Sequence, residues 1–343
     1  MHAFGLAFVL AAISSVLTHP IHQEQRQEIH VVGREQSTMV PVAPETSAEL
    51  ELLSKGNKAF RDNIAVTDPG LLKKLADEGQ SPPFMFLGCS DSRVSEGTVF
   101  NAKPGTLFAE RNIANQFQSS DTNAHSVLSY AVTVLGVKHV IVMGHYGCGG
   151  VAASIASPPK GQIDAANGAV QNWIEPIREI FRASNRSEIV ELRNKNAGRT
   201  DIKEPKINEP GFRALVEENV KASVRRIATN PVITNHYGLL KSGAGNSTSG
   251  TRKSARDVFI HGWVYDLATG KVHDLGISVG PPGKPVPTLP LAAVSKSTTQ
   301  SLGSAVEASV WPNAACLASL VKRSAKGIIL LRGYSLPLGT WWS

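Results

Sequence analysis

Two uninterrupted apolar runs stand out along the chain, Phe84-Met-Phe-Leu-Gly-Cys89 and His139-Val-Ile-Val-Met-Gly144. Short continuous runs of this kind predict strands buried on both faces, as in a parallel sheet. A shorter strand is predicted at Thr106–Glu110. Asp121 and Thr122 precede apolar residues Val127, Leu128, Ala131 and Leu135 at helical spacing, which predicts a capped helix running to about Leu135. Gly149-Gly150 opens another helix, and helical patterns recur at Asn172–Arg182 and Phe212–Thr229. Val258–Tyr265 and Lys271–Leu275 read as a strand pair joined by Ala268-Thr-Gly270. Strands alternating with helices give an α/β fold with a mainly parallel central sheet flanked by helices. Ahead of it, Leu50, Leu53 and Phe60 share one side of a predicted N-terminal arm helix over Ser47–Asn63.

The pattern also sets the domain organisation. Residues 1–18 are uncharged and apolar from Phe4 to Leu17, the length of a signal-peptide core and short for a membrane span. Export is the expected route, with mitochondrial or cytoplasmic residence the alternatives. The sequons Asn185-Arg-Ser187 and Asn246-Ser-Thr248 are compatible with export. Residues 19–45 are a polar leader without sustained periodicity. The folded domain is expected over 46–280, interrupted by a Gly- and Ser-rich surface insertion at Lys241–Lys253. Pro281-Pro-Gly-Lys-Pro-Val-Pro closes it, and 281–343 is expected to be a low-complexity or disordered tail.

The formal charge of the 343 residues is +7. Much of the excess sits in the tail, where Lys284, Lys296, Lys322, Arg323, Lys326 and Arg332 face Glu307 alone. The folded part is near neutral, and no basic stretch is interleaved with aromatics, which argues against nucleic acid as a partner. The three cysteines, Cys89, Cys148 and Cys316, are too few for a disulfide framework.

The chemistry lies where the two apolar runs stop. Cys89 ends the first run, and His145 and Cys148 follow the second. In an open parallel sheet the crevice beyond the carboxyl ends of the strands is the binding site, so adjacent strands deliver all three residues to one place. Two thiolates and an imidazole suit zinc, and three protein ligands leave the open position of a catalytic site. Two residues could close it as a fourth ligand: Asp91 and Cys316. Zinc with two thiolates is formally neutral, so bound hydroxide makes the centre anionic and calls for help from neighbouring groups. Asp91 is suited to accept a hydrogen bond from that oxygen, and Arg93 to keep Asp91 ionised.

The paired motifs Cys89-Ser-Asp-Ser-Arg93 and His145-Tyr-Gly-Cys-Gly-Gly150 resemble the signature of the beta-class carbonic anhydrases. The resemblance extends over roughly 48–280 and takes in Gln80-Ser-Pro, Phe108, Arg111-Asn-Ile-Ala-Asn115 and His261-Gly-Trp-Val-Tyr265. It implies reversible hydration of carbon dioxide to bicarbonate and a proton through a zinc-bound hydroxide, with one zinc per chain. It also implies a homodimer or higher homo-oligomer with active sites at the subunit interface, and no membrane span. By resemblance Cys89, His145 and Cys148 are the zinc ligands and Asp91–Arg93 the catalytic dyad. Gln80, Phe108 and Tyr130 match pocket positions of the plant-type subgroup. Apolar walls suit a small apolar substrate, and the backbone N–H groups of Gly149 and Gly150 favour an anion. Ser95 and Glu110 depart from the family pattern, which usually has proline and an apolar residue there. His125 is a candidate proton shuttle. Two alternatives remain: the same zinc hydroxide acting on a related small molecule such as carbon disulfide, and a non-catalytic protein with a closed structural zinc site.

Overall fold

The computed structural model describes residues 47–160, 164–242, 256–288 and 290–294. The apolar segment 1–18, the leader, most of the 241–253 insertion with its Asn246 sequon, and the tail beyond 294 with Cys316 lie outside the described residues. The chain divides into two units, 1–68 and 69–343.

The described part of the first unit is helix α1, Ala48–Thr67. Ser47 caps it by accepting from the Leu50 N–H at 3.3 Å. The pairs Lys55–Glu51 and Lys58–Asp62 run along its surface. Leu50, Leu53 and Phe60 are exposed, and Ile64 is buried.

The second unit begins with α2 (Leu71–Glu78) and enters β1 (Phe84–Cys89). A short α3 (Glu96–Val99) leads to β2 (Leu107–Asn112). Helix α4 (Thr122–Tyr130) is capped by Asp121, which accepts from the N–H groups of Asn123 and Ala124. It continues as a π-helical turn, Ala131–Leu135, and ends at Gly136 in the left-handed region. Strand β3 (His139–His145) and α5 (Gly149–Ile155) follow. Then come α6 (Ala165–Ala183), α7 (Ser187–Asn196), α8 (Pro210–Ala228) and α9 (Pro231–Ser242). The hairpin β4 (Phe259–Asp266) and β5 (Lys271–Val279) completes the sheet.

The sheet order is β2-β1-β3-β4-β5. The pairs β1–β2, β1–β3 and β3–β4 are parallel, and β4–β5 is antiparallel. The winding reverses between β1 and β3, which makes their carboxyl ends the switch point where such sheets place ligands. One face packs Met85, Leu87, Val140, Val142 and Ile260 against α4, α8 and α9. Phe86, Ile141, Met143 and Trp263 form the core of the other.

Past Gly280 the structure differs from the expected domain end. Asp274 of β5 bonds with the backbone of Ala292 and Val294, and Leu291 and Val294 pack against the core clusters. A single strand-like bridge of this kind carries no periodicity that a sequence pattern could reveal.

Candidate metal centre

The end of β1 places Cys89, and the end of β3 places His145. By strand alternation Cys89 follows Met85 and Leu87 on one face, while His145 follows Ile141 and Met143 on the other. They meet beyond the strand ends, where Gly147 turns the chain back with φ 76° so that Cys148 faces the same point. A side chain there would be strained in conformation and would press on Ile207, 2.7 Å from the position of a Cβ.

The sulfurs and an imidazole nitrogen of Cys89, His145 and Cys148 all lie within 4.8 Å of one another, and all three residues are buried. Cys89 and Cys148 are free thiols with Sγ atoms 3.9 Å apart. Their mutual hydrogen bond pulls Cys89 well below the ordinary thiol range, and the same contact with burial pushes Cys148 up. The nearby backbone amides of Asp91, for Cys89, and of Gly150 and Val151, for Cys148, favour the charged sulfurs, although Cys148 makes no capping hydrogen bond to α5. His145 Nδ1 lies 3.1 Å from the Tyr146 carbonyl oxygen, which it can reach as a donor. That leaves Nε2 buried without a hydrogen-bond partner. A buried orphan nitrogen beside two free cysteine sulfurs is the donor set of a metal site, and its N and S atoms suit zinc.

Asp91 sits at the edge of this set, its Oδ2 3.7 Å from His145 Nε2. Arg93 holds it in a fork, with Nε donating to Oδ1 at 2.9 Å and Nη2 to Oδ2 at 2.6 Å. These bonds draw the Asp91 carboxyl down to about 2. Arg93 Nη2 also reaches the Gly147 carbonyl at 3.3 Å and so ties the two ligand loops together. With both oxygens engaged by Arg93, Asp91 stands beside the site as an ionised acceptor.

The expected pocket residues fall elsewhere in the chain. Phe108 pairs in register with Met85, four residues before Cys89, which puts it about 13 Å back along the strand. Tyr130 stacks on Phe108 with ring centroids 5.7 Å apart, and Gln80 is exposed ahead of β1, at the opposite end of that strand from Cys89. One chain does not bring Gln80, Phe108 and Tyr130 to its own metal site. Gly149 and Gly150 open α5 directly after Cys148. His125 stacks on Phe117 with ring centroids 4.7 Å apart, its Nε2 is buried without a hydrogen-bond partner and its Nδ1 lies 3.5 Å from Asn230 Nδ2. Glu110 is buried and accepts from Asn123 Nδ2 at 2.8 Å, and burial raises its carboxyl. Ser95 has φ −60°, a value proline would share, so the departure there leaves the backbone path intact.

Two supports of the site were not legible beforehand. Arg111 reaches the backbone of the Cys89 loop. Tyr146, next to His145, donates its hydroxyl to Glu217 at 2.8 Å, and Glu217 in turn accepts from Arg186 at 2.6 Å. Arg213 covers the Tyr146 ring at 3.4 Å. Glu217→Ala leaves the Tyr146 hydroxyl unpaired and removes one carboxylate from Arg186, which keeps Glu188. The expected cost is about 3 kcal/mol of stability, the low end for breaking a buried pair, read by urea unfolding. A loss under ~0.5 kcal/mol would show that the network carries little.

An α/β fold with a Cys-His-Cys metal site at its switch point defines a metalloenzyme class, and comparison with known proteins narrows it. Residues 84–242 match the family model described as carbonic anhydrase. A carbonic anhydrase of Emericella nidulans is 32% identical over 225 residues, covering 65% of this chain and 82% of that protein. Beta carbonic anhydrase 3 of Arabidopsis thaliana is 34% identical over 135 residues, 37% of this chain and 50% of that one. Among solved structures, the Coccomyxa beta-carbonic anhydrase in complex with acetazolamide has a TM-score of 0.53 at 30% identity, covering 68% of this chain and 89% of that chain. A structure of the tetrameric beta-carbonic anhydrases of Sordaria macrospora has a TM-score of 0.51 at 26% identity, covering 68% of this chain and 100% of that one. The chain belongs to the beta-carbonic anhydrase family, and its enzyme class is carbonic anhydrase. Among the described residues no helix is long and apolar enough to cross a membrane.

Proposed function

We propose that the chain hydrates carbon dioxide reversibly to bicarbonate and a proton with one zinc ion held by Cys89, His145 and Cys148. The observation that carries this is the buried three-ligand set with its orphaned His145 Nε2 and with Asp91 held apart by Arg93. When bound, zinc supplies the Lewis acidity that makes water nucleophilic near neutral pH. The chain's own residues then do the orienting. Asp91, ionised and fixed by the Arg93 fork, accepts a hydrogen bond from the attacking water and aims its lone pair at the substrate carbon. The nearby backbone amides of Asp91, Gly150 and Val151 favour the charged form of the two sulfurs. Stopped-flow hydration of carbon dioxide by the full chain, with zinc counted on the same sample, tests the reading. One zinc per chain with hydration above the buffer rate is expected; stoichiometric zinc with no hydration at any pH would overturn it.

We infer further that Gln80, Phe108 and Tyr130 serve the site of a second copy in a homo-oligomer. Their placement toward the far end of β1 supports this, as does the tetrameric state of the Sordaria macrospora enzymes. Mixing an Asp91→Asn chain with a Gln80→Ala/Phe108→Ala chain checks it. If each site draws on two copies, one arrangement in the mixed dimer is fully native, and about a quarter of wild-type activity returns. No gain above the separate variants would show that the three residues act within one chain or not at all.

A further inference from the structure

The segment from Arg111 to Gln116 runs between the two ligand loops and touches both. At one end Arg111 Nε donates to the Cys89 carbonyl oxygen at 3.0 Å, and Nη2 donates to that of Asp91 at 2.8 Å. Between those two carbonyls, the Ser90 N–H donates to the Asn112 carbonyl oxygen at 3.0 Å. At the other end Ile113 and Ala114 pack against Gly150, where a Cβ would lie 2.6 Å from Ile113 Cγ2 and 3.3 Å from Ala114 Cβ. Gly150 lies two residues after Cys148, in the first turn of α5.

The segment is itself tightly held. Trp173 Nε1 donates to the Ile113 carbonyl at 2.7 Å, Asn219 Nδ2 to that of Ala114 at 2.8 Å and Ser223 Oγ to that of Asn115 at 3.2 Å. Ala114 and Asn115 have φ 63° and 47°. Consecutive non-glycine residues in the left-handed region persist where their surroundings over-determine them, and such strain gathers at functional sites.

We propose that Arg111 is a positioning residue for carbon dioxide hydration, its guanidinium fixing in one fork the spacing between the metal-ligating Cys89 and the water-orienting Asp91. The proposal rests on the functional reading above. The fork bonds backbone carbonyls and touches no reacting atom. Arginine is needed because two donors in fixed geometry must span two carbonyls; a lysine ammonium is a single point charge on a flexible stem. Glu96 reinforces the placement. Its Oε2 is buried, lacks a hydrogen-bond partner and lies 3.7 Å from Arg111 Nε, a counter-charge that leaves the donors free for the carbonyls.

One fork setting two distances predicts a double signature. Arg111→Met in the full chain is expected to weaken zinc binding about 10- to 100-fold in chelator competition. At saturating zinc its kcat is expected to fall by a similar factor with KM little changed, because Asp91 is misplaced as well as Cys89. The absorption spectrum of the cobalt-substituted protein is expected to shift. A residue serving stability alone would lower the unfolding midpoint and, well below it, leave zinc affinity, spectrum and zinc-saturated kcat at wild-type values; that result overturns the proposal. Loss in zinc affinity alone, or in kcat alone, overturns the claim that one fork sets both. If Arg111→Met does not fold, Arg111→Lys keeps the charge beside Glu96 and is judged by the same readings. Zinc-loaded wild-type chain without hydration activity would strike the functional reading, while zinc affinity and the cobalt spectrum would still decide whether Arg111 positions the ligand loop.

Discussion

Asp91→Asn is expected to lower kcat/KM for carbon dioxide hydration by about 10²- to 10⁴-fold while zinc stays at one per chain. The substitution keeps size and shape and removes the one ionised acceptor at the edge of the metal site. Asparagine has one acceptor oxygen where the carboxylate has two, so it can satisfy either Arg93 Nε or Nη2 but not both. Its amide also offers a donor toward the water that Asp91 is placed to accept from. Stopped-flow kinetics with metal analysis on the same preparation reads both quantities. Full activity in a zinc-loaded variant would remove Asp91 from the mechanism. Loss of zinc would make Asp91 a ligand and close the site. The acid limb of activity can be anticipated as well. Arg93 depresses Asp91 to about 2, so the carboxylate stays ionised as pH falls to its ordinary value of 3.8. Any stability the fork contributes is present above 3.8 and is lost only as pH drops from there toward 2. Activity lost between neutrality and pH 3.8 therefore belongs to other groups.

The metal set was legible because each ligand stands at the end of a run that reads plainly. Phe84–Cys89 and His139–His145 are buried along nearly their whole length, so continuous apolarity marked them, and the switch-point rule brought their ends together. Helix α4 was legible down to its cap, because Asp121 bonds locally. What escaped is long-range or short. Arg111 contacts Cys89 and Asp91 from about twenty positions away, and Glu217 joins Tyr146 across 71. A lone arginine or glutamate in a sequence carries no sign of its partner. Helix α2 has only 8 residues, and α7 alternates charge and apolarity too closely to show a clear face. Matching Gln80, Phe108 and Tyr130 by offset gave residue types suited to a pocket but no information on their distance from Cys89 along the strand.

Cys148→Ser is expected to weaken zinc binding by more than about 100-fold, since loss of an outer-shell partner alone typically costs 10- to 100-fold. Activity should fall in proportion to zinc content. The serine hydroxyl stays protonated where a thiolate is required. The wild-type site adds a pH dependence with a definite sign. Without metal, the contact with Cys89 and burial hold the Cys148 thiol above its ordinary range. Zinc must displace the thiol proton, so the wild-type dissociation constant should fall about tenfold per pH unit while the thiol remains protonated. In Cys148→Ser that slope should flatten. Stability reports the same loss: with zinc at about 1,000 times its dissociation constant, the wild-type chain gains about 4.1 kcal/mol, and the variant at the same zinc concentration gains far less. Chelator competition across pH, run beside urea unfolding with and without zinc, measures both. Cys316→Ser is the control and should keep stoichiometric zinc. If instead Cys316→Ser loses the metal, Cys316 is the fourth ligand of a closed site. Wild-type zinc affinity in Cys148→Ser would mean that Cys148 is not a ligand.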